Sequence, residues 1–104
     1  MSEMNEWTEG QVVDDSKTRL TPPRFFKVII YNDDYTTMEF VTEILMTVFH
    51  KSQNEAETIM LDVHKKGHGI CGVYTRDVAM TKVSEVHERA RRNEFPLRCG
   101  CEEA

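Results

Sequence analysis

The sequence predicts an α+β fold: a two-layer sandwich of a small three-stranded antiparallel sheet and three helices, in the order β-α-α-β-α-β. Its 104 residues suit one domain, because a chain of this size buries roughly two thirds of its unfolded surface. Apolar residues recur with the helical period in three segments, and three shorter segments have the apolar content of strands. Three helices that each have one apolar face must cover one side of a sheet, which gives two layers.

The first strand is predicted at Phe25–Tyr31, which is rich in aromatic and β-branched residues and reads as a buried strand. The next residues, Asn32, Asp33 and Asp34, predict a turn, because their short side chains bond the nearby backbone. This turn leads from the strand into the first helix.

Two helices are predicted next, each opened by a capping box in which a hydroxyl and a carboxylate satisfy backbone donors. The first box is Thr36 with Glu39, and the second is Ser52 with Glu55. Gly67 is expected to end the second helix. The apolar residues at helical spacing are Val41, Ile44, Leu45 and Val48 in the first helix, and Ala56, Ile59, Met60 and Val63 in the second.

A short strand over Gly69–Tyr74 and a third helix are predicted to follow, with Thr75 as the helix cap. The apolar face of this helix consists of Ala79, Val83, Val86 and Ala90, and its last turn carries Arg89, Arg91 and Arg92. The last strand is predicted at Phe95–Cys101, where alternation places Leu97, Cys99 and Cys101 on one face.

Composition excludes several classes of function. The chain has 13 Lys and Arg against 18 Asp and Glu, and this net charge of −5 argues against nucleic-acid binding. No apolar run is long enough to span a membrane, and the N-terminus lacks a secretion signal. Three cysteines, an odd number, favour reduced thiols over a disulfide framework. We therefore expect a cytoplasmic protein with no membrane partner.

The chain is predicted to divide into residues 1–21, a flexible acidic N-terminal extension, and residues 22–104, the core domain. Residues 1–20 carry five acids and two bases and show no sustained apolar period. Pro22 and Pro23 then favour an extended chain, which suits a boundary.

Few residues suggest chemistry. The Asn32–Asp34 turn offers an amide and two carboxylates to a cation or an ammonium group, or is a solvated turn. His64 and His68 have the spacing of two metal ligands on one helical face, although Gly67 interrupts the helix. Alternatively, His64 is partly buried with a hydrogen bond. Cys71 and His64 are a conceivable catalytic dyad, but a thiol in a buried strand is usually inert.

Several segments together resemble one known family. Lys27–Val41 (KVIIYNDDYTTMEFV) is similar to the signature of ClpS, the adaptor family of bacterial AAA+ Clp proteases. The likeness covers about residues 22–104 and extends to Met60–His64, Cys71–Thr75, Val78-Ala79, Thr81–Val83 and Phe95–Leu97. Thr37 stands where this family usually has Pro, and Met80 stands where it usually has Glu.

The resemblance implies a non-enzymatic, monomeric adaptor without cofactor or metal. Such adaptors bind substrates with an N-terminal Leu, Phe, Tyr or Trp, called N-degrons. They deliver these substrates to a ClpA-type unfoldase, or a relative such as ClpC, for degradation by ClpP. Two other readings stay open: a module that docks on Clp without reading N-termini, and a thiol- or metal-dependent enzyme built on Cys71, His64 and His68.

The resemblance also implies three groups of site residues. Those for the substrate α-amino group are Asn32, Asp33 and His64. Those for the side-chain pocket and its gate are Asp34, Thr36, Met38, Val41, Met60, Val63 and Leu97. Those for docking on the N-terminal domain of the unfoldase are Tyr35, Asp77 and Lys82. An ammonium offers donors that amide, carboxylate and neutral imidazole acceptors suit.

Overall fold

The structure, a computed structural model, describes residues 24–104. The predicted extension over residues 1–21 lies outside the described residues. The elements, in chain order, are β1 Phe25–Tyr31, α1 Met38–Thr47, α2 Gln53–Lys66, β2 His68–Thr75, α3 Arg76–Arg92 and β3 Arg98–Glu103. This order confirms the predicted β-α-α-β-α-β arrangement.

The sheet is antiparallel and has β1 at its centre, in the order β2-β1-β3. Tyr31, the last residue of β1, lies opposite His68 on one neighbour and Arg98 on the other. The pairing with β2 shifts between Val28 and Ile29, where β2 holds one extra residue, Cys71. The backbone of β1 is therefore paired on both sides along its length.

The core lies on one face of the sheet. Val28 and Ile30 of β1 are fully buried there, whereas the alternate residue Ile29 does not belong to this cluster. All three helices contribute to the core, with fully or almost fully buried side chains such as Ile44, Leu45, Ala56, Val63, Ala79 and Val86. The helices form one layer and the sheet forms the other, which confirms the predicted two-layer sandwich. No helix within residues 24–104 has both the length and the apolar character needed to cross a membrane.

Helix α1 begins differently from the prediction. Its cap is Thr37, whose hydroxyl accepts a hydrogen bond from the Phe40 N–H at 3.1 Å. The Thr36 hydroxyl instead donates to Asp33 Oδ2 at 2.7 Å. The prediction that Thr36 and Glu39 form a capping box is therefore wrong, because the Thr36 hydroxyl is bonded to Asp33.

Helix α2 begins and ends as predicted. The Glu55 N–H donates to Ser52 Oγ at 3.2 Å, and the Ser52 N–H donates to Glu55 Oε1 at 3.0 Å, which completes the capping box. Gly67 caps the other end with a φ of +90°, a left-handed conformation that glycine adopts at no steric cost. Thr75 is likewise the cap residue of α3, but its side chain makes no capping hydrogen bond.

The last strand begins at Arg98, later than the predicted Phe95. The Phe95 N–H donates to the Ala90 carbonyl at 2.9 Å, and its ring packs 4.8 Å from that of Phe40. Phe95 therefore closes the turn after α3 and is not part of the sheet. Of the residues predicted to alternate, Leu97 packs on the core from this turn and Cys99 packs on it from β3.

The cysteines are free, as expected from their odd number, and two of them are buried. Burial raises the pKa of the Cys71 thiol strongly and that of the Cys99 thiol to about 12. Cys71 and Cys99 therefore serve as small apolar core residues, since the neutral thiol is a poor nucleophile.

The contact between α2 and β2 is tight at Gly69, which gives a test of the packing. A Cβ at Gly69 would lie 2.7 Å from Val63 Cγ2 and 3.2 Å from the Ile59 carbonyl oxygen. Gly69→Ala should therefore push α2 away from the sheet and lower the free energy of unfolding by about 1–3 kcal/mol. Urea denaturation followed by circular dichroism measures this loss.

Gly100→Ala is the matched control, because it places the same methyl group in β3. Its Cβ would have no neighbour closer than Tyr31 Cε2 at 3.9 Å. This variant should unfold at nearly the wild-type urea concentration. Equal stability of the two variants would contradict the close approach of α2 to β2.

Candidate functional site

The loop that joins β1 to α1, residues 32–37, folds around the carboxylate of Asp33. Its Oδ1 accepts the N–H of Tyr35 at 2.8 Å and that of Thr36 at 2.7 Å. Its Oδ2 accepts the Thr36 hydroxyl at 2.7 Å. A carboxylate has about four acceptor positions, so one remains for a further donor.

The hydrogen bonds also set the charge of Asp33. Partial burial alone would raise the pKa of this carboxyl group, but the bonds from Thr36 and Tyr35 outweigh burial and lower it. The charge of Arg98, on the neighbouring strand β3, lowers the pKa further. Asp33 is therefore a stable anion at the end of the central strand.

The same loop is tied to the end of α2. The Asn32 N–H donates to the Gly67 carbonyl at 2.9 Å, and the Gly67 N–H donates to the Val63 carbonyl at 3.0 Å. His64 lies in the last turn of α2, directly after Val63. The loop residues Asn32 and Asp33 thus lie next to the helical turn that carries His64.

The side chain of His64 is exposed, which overturns the alternative of a partly buried, hydrogen-bonded histidine. Asn32 is exposed as well, and neither side chain makes a hydrogen bond among residues 24–104. Both are therefore available to a ligand.

The residues predicted for the side-chain pocket fall into three groups. Val41, Val63 and Leu97 are buried in the common core. Met38 and Met60 lie at the surface end of the same helical faces, three residues before Val41 and Val63 respectively. Thr36 is half-buried against Asp33, and Asp34 is exposed in the turn. Met60 also packs against this core, whereas Met38 is 47% exposed.

Met38 and Met60 also line a groove between α1 and α2, called here the α1–α2 groove. It has a volume of about 700 Å³. Its other lining residues are Glu39, Thr42, Glu43, Met46, Thr47, Gln53, Glu57 and Leu61. The sequence pattern predicts a site at none of these eight residues.

The predicted docking residues have different surroundings. Tyr35 is 77% exposed at the tip of its loop, and Asp77 is exposed in the first turn of α3. Lys82 is half-buried: its ammonium donates to the Val48 carbonyl at 2.7 Å and lies 5.8 Å from the centre of the Tyr74 ring. Met80, the departure from the family pattern, is 50% exposed beside Cys101.

The three residues on which a thiol- or metal-dependent enzyme would depend differ in burial. Cys71 is fully buried, whereas His64 and His68 are exposed. Within residues 24–104, no three His, Cys, Asp or Glu residues cluster closely enough to hold a metal ion. The buried thiol, with its raised pKa, is a poor candidate for a nucleophile.

The family model and the similar proteins that match this chain all belong to one family. Residues 21–100 match the model of the family described as ATP-dependent Clp protease adaptor protein ClpS. The chain is 58% identical to the ClpS adapter of Syntrophus aciditrophicus, over 82% of this chain and 79% of that protein. It is 47% identical to the ClpS adapter of Desulfotalea psychrophila, over 98% of each chain.

A solved structure is similar as well. Agrobacterium tumefaciens ClpS2 bound to L-phenylalaninamide is 36% identical to the chain and superposes with a TM-score of 0.77. The match covers 80% of this chain and all of that one. The two chains are therefore similar in sequence as well as in fold.

The loop around Asp33 gives a pH-dependent prediction. Asp33→Asn removes the charge that accepts three hydrogen bonds, so it should lower the free energy of unfolding at pH 7 by about 1 kcal/mol. The folded pKa lies below the unfolded value of about 4. The contribution of Asp33 is therefore complete above pH 4 and is lost as pH falls through the folded pKa. Urea denaturation at pH 7 and pH 3 should show the difference shrinking.

Asp34→Asn is the control, because its exposed carboxylate makes no hydrogen bond or ion pair within the described part of the chain. It should leave stability unchanged at both pH values. A loss for Asp33→Asn that is the same at pH 3 as at pH 7 would contradict the role given to its charge.

Proposed function

The chain belongs to the ClpS family of Clp protease adaptors, and from this premise we propose that it binds N-degron substrates and delivers them for degradation. The substrates begin with Leu, Phe, Tyr or Trp. The observation that carries this proposal is the relative bound to L-phenylalaninamide. That ligand has a free α-amino group and an aromatic side chain, like the first residue of such a substrate.

In this proposal Asn32, Asp33 and His64 hold the α-amino group. The bond between Asn32 and Gly67 supports the grouping, because it holds the loop against the end of α2. The amide oxygen of Asn32 and a neutral ring nitrogen of His64 are acceptors, and Asp33 has one acceptor position left. The pairing of the ammonium with Asp33 is charge-assisted and so stronger than a neutral hydrogen bond.

The first side chain of the substrate would enter between Met38 and Met60 and rest on Val41, Val63 and Leu97. Thr36 and Asp34 would form the rim on the loop side. Burial of a Phe or Leu side chain is worth about 1.5–3 kcal/mol. Methionines are suited to such an entrance, since the flexible thioether fits flat rings as well as branched leucine.

The partner in this proposal is the N-terminal domain of a ClpA-type unfoldase, or of a relative such as ClpC, which feeds ClpP. Tyr35 and Asp77 offer it an exposed ring and an exposed charge. The chain acts as a monomer, catalyses no reaction itself and works in the cytoplasm, where thiols such as its free cysteines stay reduced.

Peptide binding tests whether the chain recognises the free α-amino group and the first side chain of a substrate. A fluorescent peptide that begins with Phe should bind, and the same peptide with an acetylated amine should not, because the acceptors would stay unpaired. Asn32→Ala and His64→Ala should each weaken binding by at least about tenfold, since a hydrogen bond to a charged group is worth about 1.5–3 kcal/mol. Fluorescence anisotropy measures these affinities.

His68→Ala is the matched control, because His68 is exposed and stands four residues after His64. It should bind the Phe peptide as the wild type does. Equal binding of the free and acetylated peptides would disprove the proposed reading of N-termini and favour a module that only docks on Clp.

Docking should be separable from peptide binding. Tyr35→Ala removes an exposed ring of the kind that often dominates interfaces, so affinity for the purified unfoldase N-terminal domain should fall by about tenfold. Its backbone N–H, which Asp33 accepts, remains in the variant. Calorimetry with the domain and anisotropy with the Phe peptide give the two readouts.

Phe25→Ala is the control for docking, because Phe25 is a half-exposed aromatic residue at the start of β1. It should leave the affinity for the unfoldase domain unchanged. If Tyr35→Ala bound the domain as tightly as wild type, Tyr35 would not belong to the docking surface.

A further inference from the structure

The α1–α2 groove combines apolar and acidic residues. Met46 is 39% exposed and Leu61 is 45% exposed, which leaves apolar surface open to water. Glu39, Glu43 and Glu57 surround this surface. Within residues 24–104, no Lys or Arg lines the groove or pairs with these three carboxylates.

The groove is continuous with the proposed pocket for the first residue, because Met38 and Met60 belong to both. One face of α1, from Met38 at its start to Thr47 at its end, lines the groove along its length. The nine helical steps from Met38 to Thr47 span about 13 Å. An extended chain covers that distance in about four residues.

From this geometry we propose that the α1–α2 groove binds the residues that follow the first residue of the substrate, and that it selects apolar and basic side chains there. The proposal rests on the proposed function. The chain of a bound substrate passes between Met38 and Met60 and runs toward Thr47 and Gln53. Its apolar side chains contact Met46 and Leu61, and its Lys or Arg side chains pair with the glutamates.

Charge argues against two other occupants. Residues 1–20 of this chain carry five acids and two bases, so they would be repelled by the three glutamates. A second copy of the chain would also be repelled by the glutamates, because its net charge is −5. A basic and apolar segment of a substrate suits the groove better on both grounds.

Three fluorescent peptides that all begin with Phe test the preference. Their next four residues are Lys-Leu-Arg-Leu, Glu-Leu-Asp-Leu or Ser-Gly-Ser-Gly. Since exposed ion pairs are worth about 0.2–1 kcal/mol each, the basic peptide should bind the full chain at least about fivefold more tightly than the acidic one. Added salt should reduce this ratio, because it screens exposed charges.

The double variant Glu43→Gln/Glu57→Gln removes two groove charges and should bring the ratio of affinities close to one. The control Glu85→Gln/Glu88→Gln makes the same change in net charge on α3 and should keep the wild-type ratio. The affinity for the Ser-Gly peptide should stay the same in both variants.

Methyl NMR of the methionines places the peptide. Phenylalanine amide alone should shift the signals of Met38 and Met60, whereas the basic peptide should also shift that of Met46. A Met46 signal that the basic peptide leaves unchanged would overturn the proposal. So would a control variant that loses the preference as fully as the groove variant does.

The two proposals fail differently. If free and acetylated Phe peptides bind equally, the reading of N-termini fails, and the proposal for the groove fails with it. If the free peptides bind selectively but with affinities independent of the following residues, only the groove proposal fails. A Met46 signal that shifts with protein concentration alone would assign the groove to a second copy.

Discussion

The fold depends on the burial of one face of β1. Val28 and Ile30 are fully buried, and the strand is paired on both sides, so only its two faces remain for packing. The helices occupy one of these faces, and the chain must leave the strand at its end and turn directly into the helical layer. The loop around Asp33 makes this turn. The candidate site is therefore fixed to the end of a strand that cannot shift without breaking both ladders.

Local sequence signals predicted helix boundaries only where no neighbour competed for the same side chain. Ser52 and Glu55 form their capping box because no neighbour takes either side chain: Gln53, the nearest amide donor, bonds Glu57 instead. Thr36 failed as a cap because Asp33, three residues earlier, accepts its hydroxyl and leaves the next threonine to begin α1. The strand predicted at Phe95 is wrong for a different reason, because alternation alone does not separate a strand from an extended turn that packs on the core.

The candidate site was predictable in part. Polar residues at the end of a buried strand indicated the turn at Asn32 and Asp33, and the family resemblance supplied His64 and the apolar pocket. The α1–α2 groove could not be found in this way, because Met46 and Leu61 look like isolated surface residues in the sequence. They form one surface only through the packing of α1 against α2, and the sequence pattern does not report how neighbouring helices pack.

Lys82 connects the two proposed surfaces. Its ammonium, on α3, binds the carbonyl of Val48, which directly follows Thr47 at the far end of the groove. A half-buried lysine of this kind stabilises the end of α1, where carbonyl groups lack helical partners. A partner that drew the ammonium away would leave that carbonyl unpaired. The proposed docking residue Lys82 is therefore bonded to the end of α1 beside the proposed groove, so Tyr35 and Asp77 report on docking more cleanly than Lys82 does.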